Sequence, residues 1–390
     1  MAIGIAYLNL KTYLMELRIY FYPFEQIDQI RRKIEDNILP HHLDFKVVWF
    51  DSLGAKSSCL LVKTPDIRIL IDPGIAVMHP SFPAPRQAKI KWYKEGYEAI
   101  VKASRKADII IITHYHYDHF TDFDKDIYFR KKILAKDPNE YINDSQRGRA
   151  ERFYRNLYSN FGVENVELLM QKPITRKYPN PLNELPTAIA KNFGDYNKRR
   201  KELLNKGFEW FKKRVAKWNT YPRIPELKLN HVEVVFADGK EFVFGETIIK
   251  FSKPLFHGIE FSRLGWVVAV VVNYKGDKLL YTSDLNGPII EDYAEWIIKE
   301  NPRILVLDGP ATYMLGYTLN LINFRRAIDN ALKIVEKTNI ELMIYDHHLT
   351  REPRFKERTK EVWRLGEKLG KRIVTAAEIL GEKQAVLLYK

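Results

Sequence analysis

The chain predicts an α/β fold, and three features of it carry that expectation. Short apolar runs recur between turn residues, some of them are joined by stretches of helical periodicity, and ligand-type polar residues stand where the apolar runs stop. Strand, strand, helix, strand, with chemistry placed after the last strand, is the pattern of such a fold.

Residues 1–43 form an N-terminal extension expected to be helical. Gln26–Asn37 (QIDQIRRKIEDN) spaces apolar residues among charged ones at helical intervals, and Leu39-Pro40 ends the pattern. A helix packed on the main domain is the reading there, with a partner-docking helix as the alternative, and no chemistry. Residues 44–390 form that domain. Phe45–Phe50, Ser58–Lys63 and Arg68–Ile71 read as strands, and Asp72-Pro73-Gly74 stops the third. Lys89–Ala107 is helical and leads into the wholly apolar strand Ile109–Ile112.

A helical insertion is expected over about 124–230, with helices at Arg147–Val163 and Phe193–Trp218 and a Pro-rich connection between them. In the second helix Phe208, Phe211, Val215 and Trp218 fall at three- and four-residue spacings and make one apolar stripe, expected as core and not as a base-stacking platform. Its Lys198, Arg199, Arg200, Lys201, Lys206, Lys212, Lys213, Arg214 and Lys217 make a basic face that either grips phosphates or is solvated. From His231 onward strands return. His231–Phe236 and Glu241–Phe244 are joined by Asp238-Gly239, and Leu264–Asn273 and Lys278–Thr282 are joined around Lys275-Gly276-Asp277. Arg303–Leu307 and Ile340–Tyr345 are strands with the helix Asn320–Lys337 between them, and no repeat of fixed period runs along the chain.

The 390 residues suffice for one large domain or two ordinary ones, and 46% hydrophobic residues permit a sizeable core. The one cysteine, Cys59, lies in an apolar run, which suits a buried residue in a reducing, cytoplasmic setting. No stretch has the length and apolarity of a membrane span, and Lys11, Glu16 and Arg18 interrupt the apolar start. A formal net charge of +14 favours polyanionic partners or anionic substrates, against the plainer reading of a Lys/Glu-rich surface with a basic bias.

Chemistry concentrates in Thr113-His114-Tyr115-His116-Tyr117-Asp118-His119, directly after the apolar strand. Imidazole and carboxylate are ligands that Zn²⁺ and its neighbours prefer. His114 and His116 share one side of an extended segment and can bind one ion together, while Asp118 and His119 fall where the chain turns and face a second. A solvated His-rich turn is the bland alternative. Further candidates follow later strands: His257 after Phe251–Phe256, Asp284 after Leu279–Ser283, and His347 and His348 after Leu342–Asp346. Each alone is weak; together they complete two sites.

These residues, with Asp72-Pro73-Gly74 upstream, resemble the metallo-β-lactamase superfamily, and more closely an archaeal branch of predicted metal-dependent hydrolases. The matching stretches are Asp51–Ser58, Ile69–Gly74, Thr113–His119, Ile142–Ala150, Phe251–Gly258, Thr282–Pro288, Asp308–Tyr313 and Asp346–Leu349, in order over roughly residues 45–380. The resemblance implies a metallo-β-lactamase-like four-layer αββα sandwich. It implies that His114, His116 and His257 hold one metal, that Asp118, His119 and one of His347 or His348 hold the other, that Asp284 bridges both, and that Asp72 orients a ligand. His347 is the preferred ligand, leaving His348 or Asp346 as an acid.

Two divalent ions, Zn²⁺ or else Mn²⁺ or Fe²⁺, suit hydrolysis by a shared hydroxide. Asp118, His348 and Asp346 are then the expected catalytic residues, with Tyr313 a further candidate donor. Three functions compete: a nuclease acting on RNA or DNA, a hydrolase of a small anionic metabolite such as a phosphoester, lactone or thioester, and a non-catalytic nucleic-acid-binding protein. The basic balance puts the nuclease first.

Overall fold

The computed structural model describes residues 42–389, so the helix expected at Gln26–Asn37 lies outside the described residues. The first sheet contains β1 (Asp44–Phe50), β2 (Ser58–Lys63), β3 (Arg68–Ile71), β4 (Ile109–Ile112), β5 (Lys131–Ala135), β6 (Leu227–Leu229) and β7 (Val232–Phe236), in the order β1-β2-β3-β4-β5-β7-β6. The second contains β8 (Glu241–Phe244) and β9 (Thr247–Phe251). After a two-stranded ribbon, β10 (Leu255–Phe256) and β11 (Trp266–Val267), it resumes with β12 (Val270–Tyr274), β13 (Asp277–Tyr281), β14 (Ile304–Asp308), β15 (Leu342–Asp346) and β16 (Arg372–Val374). Its order is β8-β9-β12-β13-β14-β15-β16.

The sheets share one pairing pattern. From β1 to β7 the neighbours run antiparallel, antiparallel and then parallel three times, and from β9 to β16 the sequence is the same. The repeat lives in topology, and unequal connections between the strands remove any fixed period from the sequence.

Burial follows the strand period. In β4, Ile109 and Ile111 enter the apolar layer between the sheets with Val270, Val272 and Ile344, whereas Ile110 and Ile112 face the outer layer. Helices cover the outer faces: α1 (Arg86–Ser104) and α2 (Asp144–Asn160) in the first half, α4 (Glu291–Glu300), α5 (Leu321–Lys337) and α6 (Lys360–Lys368) in the second, with α3 (Tyr196–Trp218) in the insertion. This is the expected αββα sandwich, with all four residues of β4 buried because both of its faces are covered.

The stretch 124–230 is helical only in its middle. β5 lies inside it and sits between β4 and β7, and β6 makes the sheet edge. Lys131 and Lys132 open β5, Lys132 pairing with Glu233 at 2.7 Å, and only Ile133, Leu134 and Ala135 are apolar, too short a run to announce a strand. The apolar stripe of α3 is core, as expected. Phe211 and Trp218 are buried against Trp266, and Gly207 lets Phe261 approach so closely that a Cβ would lie 2.5 Å from it. The insertion therefore packs on the ribbon that carries His257. No helix of the described residues is long and apolar enough to cross a membrane.

Candidate metal centre

The segments that follow β3 and β4 in one sheet meet those that follow β13, β14 and β15 in the other. His114, His116, His257 and Asp284 each direct one ligand atom to a common point, all within 4.8 Å of one another; Asp118, His119 and His347 form a second such group, and Asp284, His347 and His348 a third that overlaps it. Asp284 lies between the groups. Its Oδ2 is 3.0 Å from His257 Nε2 and 3.4 Å from His114 Nε2, while its Oδ1 is 2.9 Å from His119 Nε2 and 3.3 Å from His347 Nε2. One oxygen thus faces each group.

The donor set fits divalent metal. Asp284 Oδ1 is buried facing the His119 and His347 Nε2 atoms at 2.9 and 3.3 Å, and a cation among the three would meet the carboxylate oxygen and both nitrogen lone pairs. Ring nitrogens face each other in pairs, His114 Nε2 with His116 Nδ1 at 3.0 Å and His119 Nε2 with His347 Nε2 at 3.1 Å, which aims two lone pairs at one place.

Behind the ligand atoms each ring is held by its far nitrogen. His119 Nδ1 is 2.7 Å from Asp72 Oδ2, and that carboxylate also accepts from the Thr113 N–H at 2.8 Å, the Thr113 hydroxyl at 2.6 Å and the Tyr281 hydroxyl at 2.9 Å. His347 Nδ1 sits 3.2 Å from both Asp51 Oδ1 and the Ser57 carbonyl, and His348 Nδ1 is 2.9 Å from Asp308 Oδ1. His116 is turned the other way, with Nε2 3.5 Å from Gln146 Nε2. The acceptors behind His119 and His347 choose the tautomer that leaves the inward nitrogen free, whereas the Gln146 amide that faces His116 Nε2 is a donor.

Backbone geometry serves the same end. Asp72, Ser283 and His347 adopt the left-handed conformation, with φ of 50°, 54° and 60°, at the turns that leave β3, β13 and β15. Gly74 packs so tightly under the His119 turn that a Cβ would stand 2.3 Å from the His119 nitrogen.

The electrostatics are those of a crowded cation site. Burial opposes charge on His119, but Asp284 and Asp72 outweigh it and raise the ring to about 10. Burial, then His119, pulls His114 down to about 4. Asp284 stays well below the usual carboxylate range, because His119, His347 and His114 overcome the burial that would raise it. Burial, then Asp284, pushes Asp308 up to about 7.

Residues 54–125 match the family model of the metallo-β-lactamase superfamily. A UPF0282 protein of Korarchaeum cryptofilum is 31% identical over 340 residues, which span 86% of this chain and 89% of that one. The chain belongs to the UPF0282 family. Another UPF0282 protein, from Methanopyrus kandleri, is 30% identical over 352 residues, covering 87% of this chain and 94% of its own. Among solved structures, the metallo-β-lactamase fold protein YhfI of Bacillus subtilis aligns over 85% of this chain and 95% of its own, at 11% identity and a TM-score of 0.37.

In this UPF0282 protein every residue expected as a ligand, His114, His116, Asp118, His119, His257, Asp284, His347 and His348, falls in one of the three groups. Asp346 differs from expectation. Its carboxylate is buried and accepts from the N–H groups of Ser52, His347 and Ala376 and from the Thr350 hydroxyl, so it braces the turn after β15 and has no free oxygen to serve as an acid toward substrate. Tyr313, the other candidate donor, lies with its hydroxyl 3.2 Å from Arg351 Nη1.

Among the contributors that escaped the sequence reading as site residues are Asp51, Asp308, Gln146 and Arg351. The first three lie in stretches already noted for resemblance, and their position directly after or within a strand end or at a helix start was the available signal. Arg351 is nearly buried, its Nε bonded to Asp51 and its Nη2 3.2 Å from Asp118 Oδ2. Nothing in the local sequence marks it.

Proposed function

We propose that this protein is a metal-dependent hydrolase that cleaves phosphodiester bonds of nucleic acid, RNA or DNA. The observation that carries the reading is Asp284, buried between two ligand groups with one carboxylate oxygen toward each. His114, His116 and His257 would hold one divalent ion, Asp118, His119 and His347 the other, and Asp284 would bridge them; imidazole with carboxylate suits Zn²⁺, and also Mn²⁺ or Fe²⁺. When bound, such a pair supplies Lewis acidity, activating water and stabilising charge that develops on the attacked group.

The chain's own residues do the rest. Asp72, Asp51 and Ser57 orient His119 and His347. His348 stands beside this array with its Nδ1 2.9 Å from Asp308 Oδ1; burial, then Asp284, raises the Asp308 carboxyl to about 7, and when protonated it donates to Nδ1 and leaves the His348 proton on Nε2, so the ring can give that proton to the departing oxygen and take the Asp308 proton at Nδ1. The +14 charge favours a polyanion, and Lys198, Lys201, Lys206 and Lys213 stand exposed on α3.

A second reading, a hydrolase of a small anionic metabolite, is favoured by a different observation. Part of the basic face of α3 is already engaged: Arg214 and Lys217 pair with Asp144, and Arg200 with Glu260. The test is elemental analysis beside a substrate panel of a phosphodiester reporter, structured RNA, single-stranded DNA and a lactone, each with Zn²⁺ or Mn²⁺. Cleavage of RNA or DNA that falls when Lys198, Lys201, Lys206 and Lys213 are changed together to Ala supports the first reading. Turnover of small esters alone selects the second, and no bound metal under any loading condition ends both.

A further inference from the structure

Two side-chain cations, Arg351 and Lys56, stand beside the second ligand group. Arg351 reaches Asp51 and Asp118 and places Nη1 3.2 Å from the Tyr313 hydroxyl. Lys56 is held at the same side. Its backbone exchanges two 2.9 Å hydrogen bonds with Ala76, and its neighbour Ser57 touches His347 Nδ1 through its carbonyl and Asp51 Oδ1 through its N–H at 2.8 Å.

The Lys56 ammonium is only partly exposed and makes neither a hydrogen bond nor an ion pair with a described residue. Burial, then Arg351, lowers its pKa, while Asp118 and Asp51 act the other way. A partly desolvated ammonium without a partner among the described residues costs stability, and an anion arriving at the site would reduce that cost. Asp51 does not serve as that anion, being engaged by Arg351, the Ser57 N–H and His347.

We propose that Lys56, with Arg351 Nη1 and the Tyr313 hydroxyl, forms a phosphate-binding subsite on the Asp118–His347 side of the centre. A phosphate group has oxygens pointing in several directions, so it meets the ligand groups and these donors together; a carboxylate, with two oxygens in one plane, does not. The subsite would select phosphate esters among the bonds that a two-metal hydrolase can cleave. Its effect on turnover rests on the hydrolase reading, but its binding of phosphate does not.

The test is calorimetric titration of inorganic phosphate into the full-length, Zn²⁺-loaded chain, with metal content measured on the same samples. Arg351 is part of a buried ion-pair array and its loss risks misfolding, so Lys56 is the residue to change. Lys56→Ala is expected to weaken phosphate about tenfold at wild-type metal content, and Lys56→Arg to restore most of the affinity. On an anionic phosphodiester reporter, Lys56→Ala should raise KM about tenfold with a much smaller change in kcat. Lys63→Ala, exposed at the end of β2, serves as the charge control. Wild-type phosphate affinity in Lys56→Ala, or a loss no greater than that of the control, overturns the proposal. Failure of the hydrolase reading shows separately, as wild-type protein that turns over no phosphodiester while the phosphate titration still decides the subsite.

Discussion

Replacing Asp72 by Asn is expected to weaken metal binding by about 10- to 100-fold while the fold survives. Asp72 Oδ2 accepts from three donors, the His119 ring, the Thr113 hydroxyl and the Tyr281 hydroxyl, and Oδ1 accepts from the Thr113 N–H. If the Asn amide nitrogen takes the Oδ2 position, both hydroxyls can turn, but His119 Nδ1–H then faces another donor. The ring relieves this by moving its proton to Nε2, the atom 2.9 Å from Asp284, and the inward lone pair is gone. If the amide flips, its nitrogen faces the Thr113 N–H, which cannot turn. The first orientation thus costs the metal a ligand atom, and the second leaves a buried donor unpaired at about 1–3 kcal/mol. The assay is metal affinity by competition with a chromophoric chelator, beside the melting temperature of the metal-free protein. Tyr281→Phe is the companion variant: it removes one donor and leaves the carboxylate, so a loss of only ~0.5–1.5 kcal/mol is expected. Asp72→Asn with metal affinity within about twofold of wild type would refute the tautomer argument.

Other expectations follow from the same geometry. Asp284→Ala removes the oxygen facing each group, so bound metal should fall at both groups and hydrolysis should be lost; full activity would sink the bridged centre. Gln146→Ala leaves the Tyr115 N–H and the Leu264 carbonyl without their partner and frees His116 Nε2, so a stability loss of about 1–3 kcal/mol and weaker metal binding are expected, and an unchanged melting temperature would count against it. Burial, then Asp238, raises the Asp137 carboxyl from 3.8 to about 6, so the folded chain holds that proton more tightly than the unfolded chain. Its contribution to stability is full below pH 3.8 and lost as pH rises through about 6; Asp137→Asn should flatten the melting profile over that window, and a slope as steep as wild type would place its origin elsewhere. Zn²⁺ should raise the melting temperature in proportion to the logarithm of its concentration, with ~2.7 kcal/mol gained at a hundredfold excess over Kd, whereas a melting temperature independent of metal would mean that the ligands do not converge in solution.

What could be read from the chain and what could not divide along sequence distance. Ile109–Ile112 followed by His114–His119 announces both a buried strand and its chemistry, because the period of the strand and the spacing of the ligands are local. His257, Asp284 and His347 were legible as residues after strands, but that they meet is a fact of topology. Asp51 and Arg351 are 300 residues apart, and neither has a local pattern that marks it as half of a buried ion pair. β5 was missed for a different reason. Two lysines and three apolar residues give no clear period, and only pairing with β4 and β7 on either side makes a strand of them.

The distribution of charge explains why the centre is built from both halves. Asp51 and Asp72 come from the first sheet and Asp284 from the second, with Asp118 between them, and the fixed cations nearby include Arg351 and Lys56. Left to themselves these carboxylates draw protons onto His119 and His347, the two rings whose pKa is raised, while His114 and His116 are held neutral by burial and by their neighbours. Protonated imidazole balances the charge but offers no ligand lone pair at the proton-bearing nitrogen. Divalent cations balance the same carboxylates and use the same nitrogens, so each ion that enters releases protons and takes their place between Asp284 Oδ1 and the His119 and His347 rings. The site is thus poor as a purely structural polar cluster and well matched to metal, which is the physical reason for reading it as a centre for chemistry.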